Sequence, residues 1–286
     1  MKKSLLFTLI LFLIIPVSIF PQDIGHLVII GGGDKTNAIM QKIVDLAGGV
    51  DAKIVIIPNA SSEPLESAMY NVDEFKILGC KNVEYIMFNR EDADKDSLVE
   101  KLNGATGIFF SGGDQAFLTR DLLGTKLLDR VYEIYNNGGV ISGTSAGAAV
   151  MSEVMITGNE LINKDTSDIF ISIQKNNVEV KEGFGFIKTA FIDQHFIKRK
   201  RLNRSLSVLL ENPRLLGIGI DESTCIIVNP DDTFEVLGEN QVIVLDATNS
   251  SNIGVDKNGN LGAENIKIDI LLSGDKFDLI NKEVIE

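Results

Sequence analysis

The stretch Gly139-Val140-Ile141-Ser142-Gly143-Thr144-Ser145-Ala146-Gly147-Ala148-Ala149-Val150-Met151 joins a short apolar run to an alanine-rich one through a turn of small residues. Gly139 to Ser142 reads as a buried strand and Ala146 to Met151 as a helix. Between them, Gly143-Thr144-Ser145-Ala146-Gly147 matches G-x-S-x-G, the elbow that puts a serine on a sharp strand-to-helix turn. The turn is strained and crowded, and glycine on either side relieves it. The serine hydroxyl then projects above the sheet at a helix N-terminus, where the Ala146 N–H can point at a developing oxyanion. Ser145 is therefore the candidate nucleophile. A cysteine-type version of the same chemistry is excluded at this position.

Upstream of the elbow, short apolar runs alternate with amphipathic ones. His26 to Ile30, Lys53 to Ile57, Asn82 to Phe88 and Gly107 to Phe110 read as strands. Helices are expected over Thr36 to Leu46, from Pro64 to about Leu78, and over Asp96 to Leu102. A further helix runs from Gln115 to Tyr135 with a break near Gly124. Strands alternating with helices at this period predict an α/β fold: a doubly wound, mostly parallel sheet with helices on both faces. The elbow falls at the carboxyl end of the fifth strand, where such sheets bind ligands. Downstream the texture changes. Lys164 to Lys175 is loop-like, Arg201 to Leu210 helical, and Gly217–Ile220, Cys225–Val228, Thr233–Leu237 and Gln241–Leu245 are strands at short spacing, with Asn229-Pro230-Asp231-Asp232 as a hairpin turn. These add C-terminal β-hairpins to the sheet.

A serine nucleophile needs a base, and the chain has two histidines. His26 opens the first strand and reads as a strand-start residue. His195, in Phe191-Ile192-Asp193-Gln194-His195-Phe196, ends an apolar run at a strand edge and is the candidate base. For the acid that orients it, two residues are open. Glu160 lies beyond the nucleophile helix, and Asp193, two residues before His195, shares a strand face with it.

Composition bounds the alternatives. The 286 residues are 44% hydrophobic and 23% charged, with a formal net charge of −13. That is an ordinary globular balance, and an acidic chain is a poor partner for nucleic acid. Lys2 and Lys3 precede an apolar run from Leu5 to Phe20, the pattern of an export signal over residues 1–22 and too short to span a bilayer comfortably. Residues 23–286 then form one domain, secreted or periplasmic, with no membrane role beyond the signal. Cys80 and Cys225 lie in apolar settings without spaced partners, so neither a disulfide framework nor a metal site is expected. The Gly31-Gly32-Gly33-Asp34-Lys35-Thr36 loop suggests nucleotide binding, but it lacks the third glycine of G-x-G-x-x-G, and Asp34 stands where a P-loop needs glycine. A dinucleotide oxidoreductase and a non-catalytic binding module are the readings from other classes, and Ser145, His195 and Glu160 together argue against both.

The turn Ser111-Gly112-Gly113-Asp114-Gln115, the run Gly143 to Ala148, and Asp193-Gln194-His195-Phe196 together resemble peptidase family S51, the more so with Arg201-Leu202-Asn203-Arg204, Gly217-Ile218-Gly219-Ile220-Asp221-Glu222 and Gly274 to Leu279. The resemblance spans nearly all of the chain after the signal. It implies a flavodoxin-like, glutamine-amidotransferase-like sheet and a Ser–His–acid mechanism with no cofactor and no metal. It favours Glu160 as the acid, gives Gly113 as the second oxyanion donor beside Ala146, and leaves Gln115, Asp193, Arg201 and Arg204 to bind substrate. Within the family it points to the branch that cuts multi-arginyl-poly-aspartate, an isopeptide polymer, into β-aspartyl-arginine; dipeptidases for α-aspartyl bonds are the alternative, and a homodimer is open. Arg201 and Arg204, three apart on one helix face, would then hold substrate carboxylates by bidentate bonds. Lys198, Arg199 and Lys200 read as a solvated helix start.

Overall fold

The computed structural model describes residues 24–162 and 169–286; the expected signal segment lies outside them. Strands β1 (His26–Ile30), β2 (Lys53–Ile57), β3 (Asn82–Tyr85), β4 (Ala105–Phe110) and β5 (Val140–Thr144) alternate with helices α1 (Asn37–Leu46), α2 (Pro64–Ile77), α3 (Asp96–Val99), α4 (Gln115–Leu122) and α5 (Lys126–Asn136). The break at Gly124 splits α4 from α5 as the sequence predicts. The helix starts are capped by side chains: Thr36, Asp114 and Thr125 accept from Ile39, Ala116 and Leu128 amides at 3.4, 2.8 and 3.2 Å. After the elbow come α6 (Ala146–Ala149), β6 (Val154–Glu160), β7 (Val178–Glu182), β8 (Ala190–Gln194), α7 (Leu202–Glu211), β9 (Leu216–Ile220), β10 (Thr224–Val228), β11 (Thr233–Gly238), β12 (Val242–Asp246), β13 (Ser251–Val255), β14 (Leu261–Glu264), β15 (Lys267–Leu271), β16 (Lys276–Asp278) and β17 (Glu283–Ile285).

Among the described residues the main sheet has nine strands in the order β17-β16-β11-β10-β1-β5-β4-β2-β3. Its five early strands pair in parallel, and the four late ones continue it antiparallel from the free edge of β1. The expectation of a mostly parallel sheet is therefore corrected to a mixed one. Of the four late strands, β10 and β11 are legible in the sequence and β16 and β17 are not, and the docking of β10 beside β1 is a long-range pairing that local pattern does not encode. A second sheet, β15-β12-β9-β8, keeps one parallel pair, β8 with β9, and two antiparallel ones.

Alternation along the strands divides the core into layers. Val28, Ile30, Ile54, Ile56 and Phe109 face α1 and α2, where Phe75 meets Phe109 edge-on with ring centroids 5.7 Å apart. Leu27, Ile29, Val55, Ile57, Ile108, Phe110 and Ile141 face the opposite way, onto α4, α5, α6 and the inner face of the second sheet. Helices thus cover both faces of the main sheet. The outer face of the second sheet packs on α7 through Phe191, Leu245, Val208 and Leu209. Each such fully buried side chain contributes about 1.5–3 kcal/mol of transfer free energy. Cys80 and Cys225 are free thiols buried in this packing, and burial pushes the Cys225 thiol far up.

Candidate active site

The carboxyl ends of β1 and β5 from the main sheet meet those of β8 and β9 from the second. Gly31, just past β1, accepts the His195 amide at 2.7 Å, while the Ser145 amide bonds to Ile30 O at 3.0 Å and the Phe196 amide to Ile220 O at 3.2 Å. The first strand is thus the spine against which both halves of the site are fixed.

Ser145 sits at φ 53°, ψ −108°, the strained nucleophile position between β5 and α6. Only glycine fits on either side: a Cβ on Gly143 would lie 2.5 Å from Gly147 O, and one on Gly147 would lie 2.4 Å from Phe110 O. The two glycines allow the helix to turn back tightly over the sheet. Ala146 is the first residue of α6, so no acceptor stands one turn earlier in the helix for its N–H.

His195 follows β8 directly, with φ 48°, and its ring lies against the backbone of Gly32. Gly32 has φ 108°, and a Cβ there would come within 2.3 Å of the ring carbon Cε1. The glycine-rich loop that suggested nucleotide binding therefore makes room for the imidazole. Ser145 Oγ and His195 Nε2 are 2.9 Å apart, and His195 Nδ1 is 2.7 Å from Glu222 Oε1. With Nδ1–H donating to Glu222, Nε2 is left as the acceptor for the serine hydroxyl. Burial lowers the His195 pKa below its ordinary range; the Glu222 hydrogen bond works against this, and the charges of Arg199 and Arg201 add to the lowering. The imidazole is neutral at neutral pH, as a general base must be.

Glu160 is therefore not the acid at His195. It lies at the end of β6 and accepts a 2.7 Å bond from Asn177 Nδ2. Glu222 belongs to the Gly217–Glu222 run that carries the family resemblance, without a role that the sequence alone identifies. The signal is strand order: β8 and β9 run in parallel as neighbours with Gln194 opposite Ile220, so His195, the first residue past β8, comes close to Glu222, the second past β9.

The expected substrate ligands lie beneath the site with partners of their own. Asp193 is fully buried; Arg204 bonds it through Nε at 2.8 Å and through Nη2, and Ser205 Oγ donates to it at 2.7 Å. Arg201 Nη1 lies 3.6 Å from Asp193 and donates to Gln194 O at 2.7 Å. Burial pushes the Asp193 carboxyl up, but the Arg204 charge and its hydrogen bonds outweigh this and hold it below the usual range. Gln115 spends its amide N–H groups on Ile156 O and Thr157 O, both at 2.8 Å. The four residues expected at the substrate are thus held by contacts within the protein, with Arg201 and Arg204 turned inward onto the end of β8 that leads into His195. Removing one partner of a buried pair leaves a charge uncompensated, so Arg204→Ala should cost about 3–5 kcal/mol of stability, read from the denaturant midpoint. Per folded molecule it should weaken turnover of large and small substrates alike.

His26 lies at the opposite end of β1, half-buried, with its pKa lowered mainly by burial and partly offset by a hydrogen bond with Asn229. Among the described residues no group of acids, histidines or cysteines could hold a metal ion, and no helix is long and apolar enough to cross a membrane.

An α/β sheet whose elbow serine is bonded to a carboxylate-held histidine has the form of a serine hydrolase. The family model for Peptidase family S51 matches residues 27–236, a span that contains Ser145, His195 and Glu222. The cyanophycinase of Synechococcus elongatus is 34% identical, over 92% of this chain and 83% of that protein. That of Geminocystis herdmanii is 37% identical, over 88% and 92%. The crystal structure of a peptidase from an acI-B1 actinobacterium superposes with a TM-score of 0.67 at 25% identity, covering 90% of this chain and 98% of that one. The chain belongs to peptidase family S51 and is a serine-type peptidase.

Proposed function

We propose that this peptidase hydrolyses cyanophycin, the multi-arginyl-poly-aspartate polymer, to β-aspartyl-arginine dipeptides through an acyl-enzyme on Ser145. The observation that carries the catalytic part is the continuous hydrogen-bonded chain Ser145 Oγ, His195, Glu222, at 2.9 and 2.7 Å. The two cyanophycinases, similar over most of their length, support the choice of substrate.

In this reading Ser145 Oγ attacks the carbonyl carbon while its proton passes to His195 Nε2. The C–N bond breaks as the same nitrogen returns the proton to the leaving amine. Water, deprotonated by His195, then releases the acyl group and restores the serine. Glu222 holds the ring through Nδ1 and stabilises the imidazolium. The oxyanion is held by the Ala146 N–H and by that of Gly113. Gly112, adjoining Gly113, packs against the nucleophile, since a Cβ on it would lie 3.4 Å from Ser145 Cβ. Residues 1–22 direct the chain out of the cytoplasm, toward a substrate too large to be taken up, and residues 23–286 act as one domain. The N-terminus of the exported protein, determined by sequencing, should lie between about Ser18 and Gly25.

The test is a suspension of insoluble cyanophycin incubated with the protein. Clearing with release of β-aspartyl-arginine supports the assignment; cleavage of α-aspartyl dipeptides with no action on the polymer moves the chain to the dipeptidase branch. The pH profile follows from the base. Protonated His195 cannot accept the serine proton, so kcat/KM should be flat above the ordinary histidine pKa of about 6.5 and fall on the acid side with a midpoint below it. The same lowered value makes folding less favourable in acid: stability present above about pH 6.5 is lost as pH falls through the folded pKa. A rate profile with its acid midpoint above 6.5 would contradict the environment described for this ring.

A further inference from the structure

We propose that Asp221 is a positioning residue for the base, acting on the backbone of His195 as Glu222 acts on its ring; the proposal rests on the catalytic assignment above. His195 has φ 48°, a left-handed conformation uncommon outside glycine, and contacts on both sides of the residue hold it there. On the N-terminal side the determinant is the bond from its own amide to Gly31 O at 2.7 Å. On the C-terminal side the chain makes a tight turn, with the Arg199 amide bonding back to His195 O at 2.9 Å and the Arg201 amide to Phe196 O at 2.9 Å. The next two amides of this turn, those of Ile197 and Lys198, both point at a single oxygen: Asp221 Oδ1 accepts them at 3.1 and 3.0 Å.

Asp221 is only 6% exposed, so its carboxylate is committed to this contact with little competition from water. It is anchored in turn, because its amide donates to Gln241 O at 3.2 Å. Its side chain reaches the turn that leaves His195, and that of the next residue, Glu222, reaches the imidazole. Two consecutive carboxylates just past β9 therefore fix the backbone and the ring of the same histidine. A small rotation of the turn would swing Nε2 away from Ser145 Oγ while leaving both side chains intact.

The test separates geometry from charge. Asp221→Asn keeps the Oδ1 acceptor and removes the charge, so it should stay within about threefold of wild type. Asp221→Glu keeps the charge but moves the oxygen by a methylene, and Asp221→Ala removes the acceptor. Both should lower kcat on a small activated ester, with KM nearly unchanged, by up to about 10²-fold, the usual cost of a misplacement of about 1 Å. A second readout does not depend on turnover. The chain has two histidines, so in a His26→Gln background the downfield Nδ1–H proton resonance belongs to His195 alone. It should persist in Asp221→Asn and be lost by exchange in Asp221→Glu and Asp221→Ala. Should Asp221→Ala fail to fold, the Asn and Glu variants decide the matter. If Asp221→Glu matches wild type in rate and resonance, or Asp221→Asn loses both, the proposal is overturned. Failure of the catalytic assignment itself would be distinct, because Ser145→Ala would then remain active in the same assay.

Discussion

Ser145→Ala should abolish turnover of cyanophycin and of small esters, with a loss on the order of 10⁴-fold or more and an unchanged thermal transition. The large rate effect follows from the geometry: Oγ is the nucleophile that the His195–Glu222 pair, 2.9 Å away at Nε2, is placed to deprotonate. The small stability effect follows from what the hydroxyl does not do. The elbow is held by the Ser145 amide on Ile30 O and by the close approach of Gly143 and Gly147, and an alanine leaves all three in place. Residual turnover from the oxyanion donors alone should remain detectable above the uncatalysed rate. Activity near wild type in the purified variant would show that the elbow is not catalytic.

Glu222→Gln should cost about 10³–10⁴-fold in kcat with little change in KM, because an amide in place of the carboxylate lets the imidazole take the wrong tautomer. When the amide N–H faces Nδ1, the proton moves to Nε2, and the serine loses its acceptor. Glu160→Gln is the contrast. Glu160 accepts from Asn177, just before β7, a contact an amide can largely replace, and it is not the carboxylate at His195 Nδ1, so the rate should change by no more than a few-fold. Active-site titration alongside the rates would exclude differences in folded fraction. A severe rate defect in Glu160→Gln together with a mild one in Glu222→Gln would reverse the assignment.

The parts of this site that were legible in the sequence are those fixed by local chemistry. The elbow needs small residues at fixed offsets, so Gly143, Ser145 and Gly147 identify themselves. With two histidines in the chain, elimination leads to His195. The acid was not legible in the same way. Glu222 lies 27 positions beyond His195, and only the parallel pairing of β8 with β9 makes the two neighbours, whereas the residues alone leave Glu160 and Asp193 open and the family resemblance favours Glu160. The orientation of Arg201 and Arg204 was not legible for a related reason. Their i, i+3 spacing correctly places them together, but periodicity does not say whether that face meets solvent or a buried carboxylate. Asp193, read as a substrate ligand, is the counter-ion that turns them inward. The main sheet follows the same division: its parallel half is written in alternating strands and helices, whereas the antiparallel half depends on where β10 docks along β1.

The most direct test of the central claim is the rate and site of covalent modification by an uncharged fluorophosphonate, which makes the nucleophile declare itself without relying on substrate choice. Peptide mapping should find one adduct, on Ser145, formed rapidly in wild type and in Glu160→Gln and slowed at least about 10²-fold in Glu222→Gln, in line with the loss of an oriented base. An adduct on any other residue, or equal rates in wild type and Glu222→Gln, would contradict it.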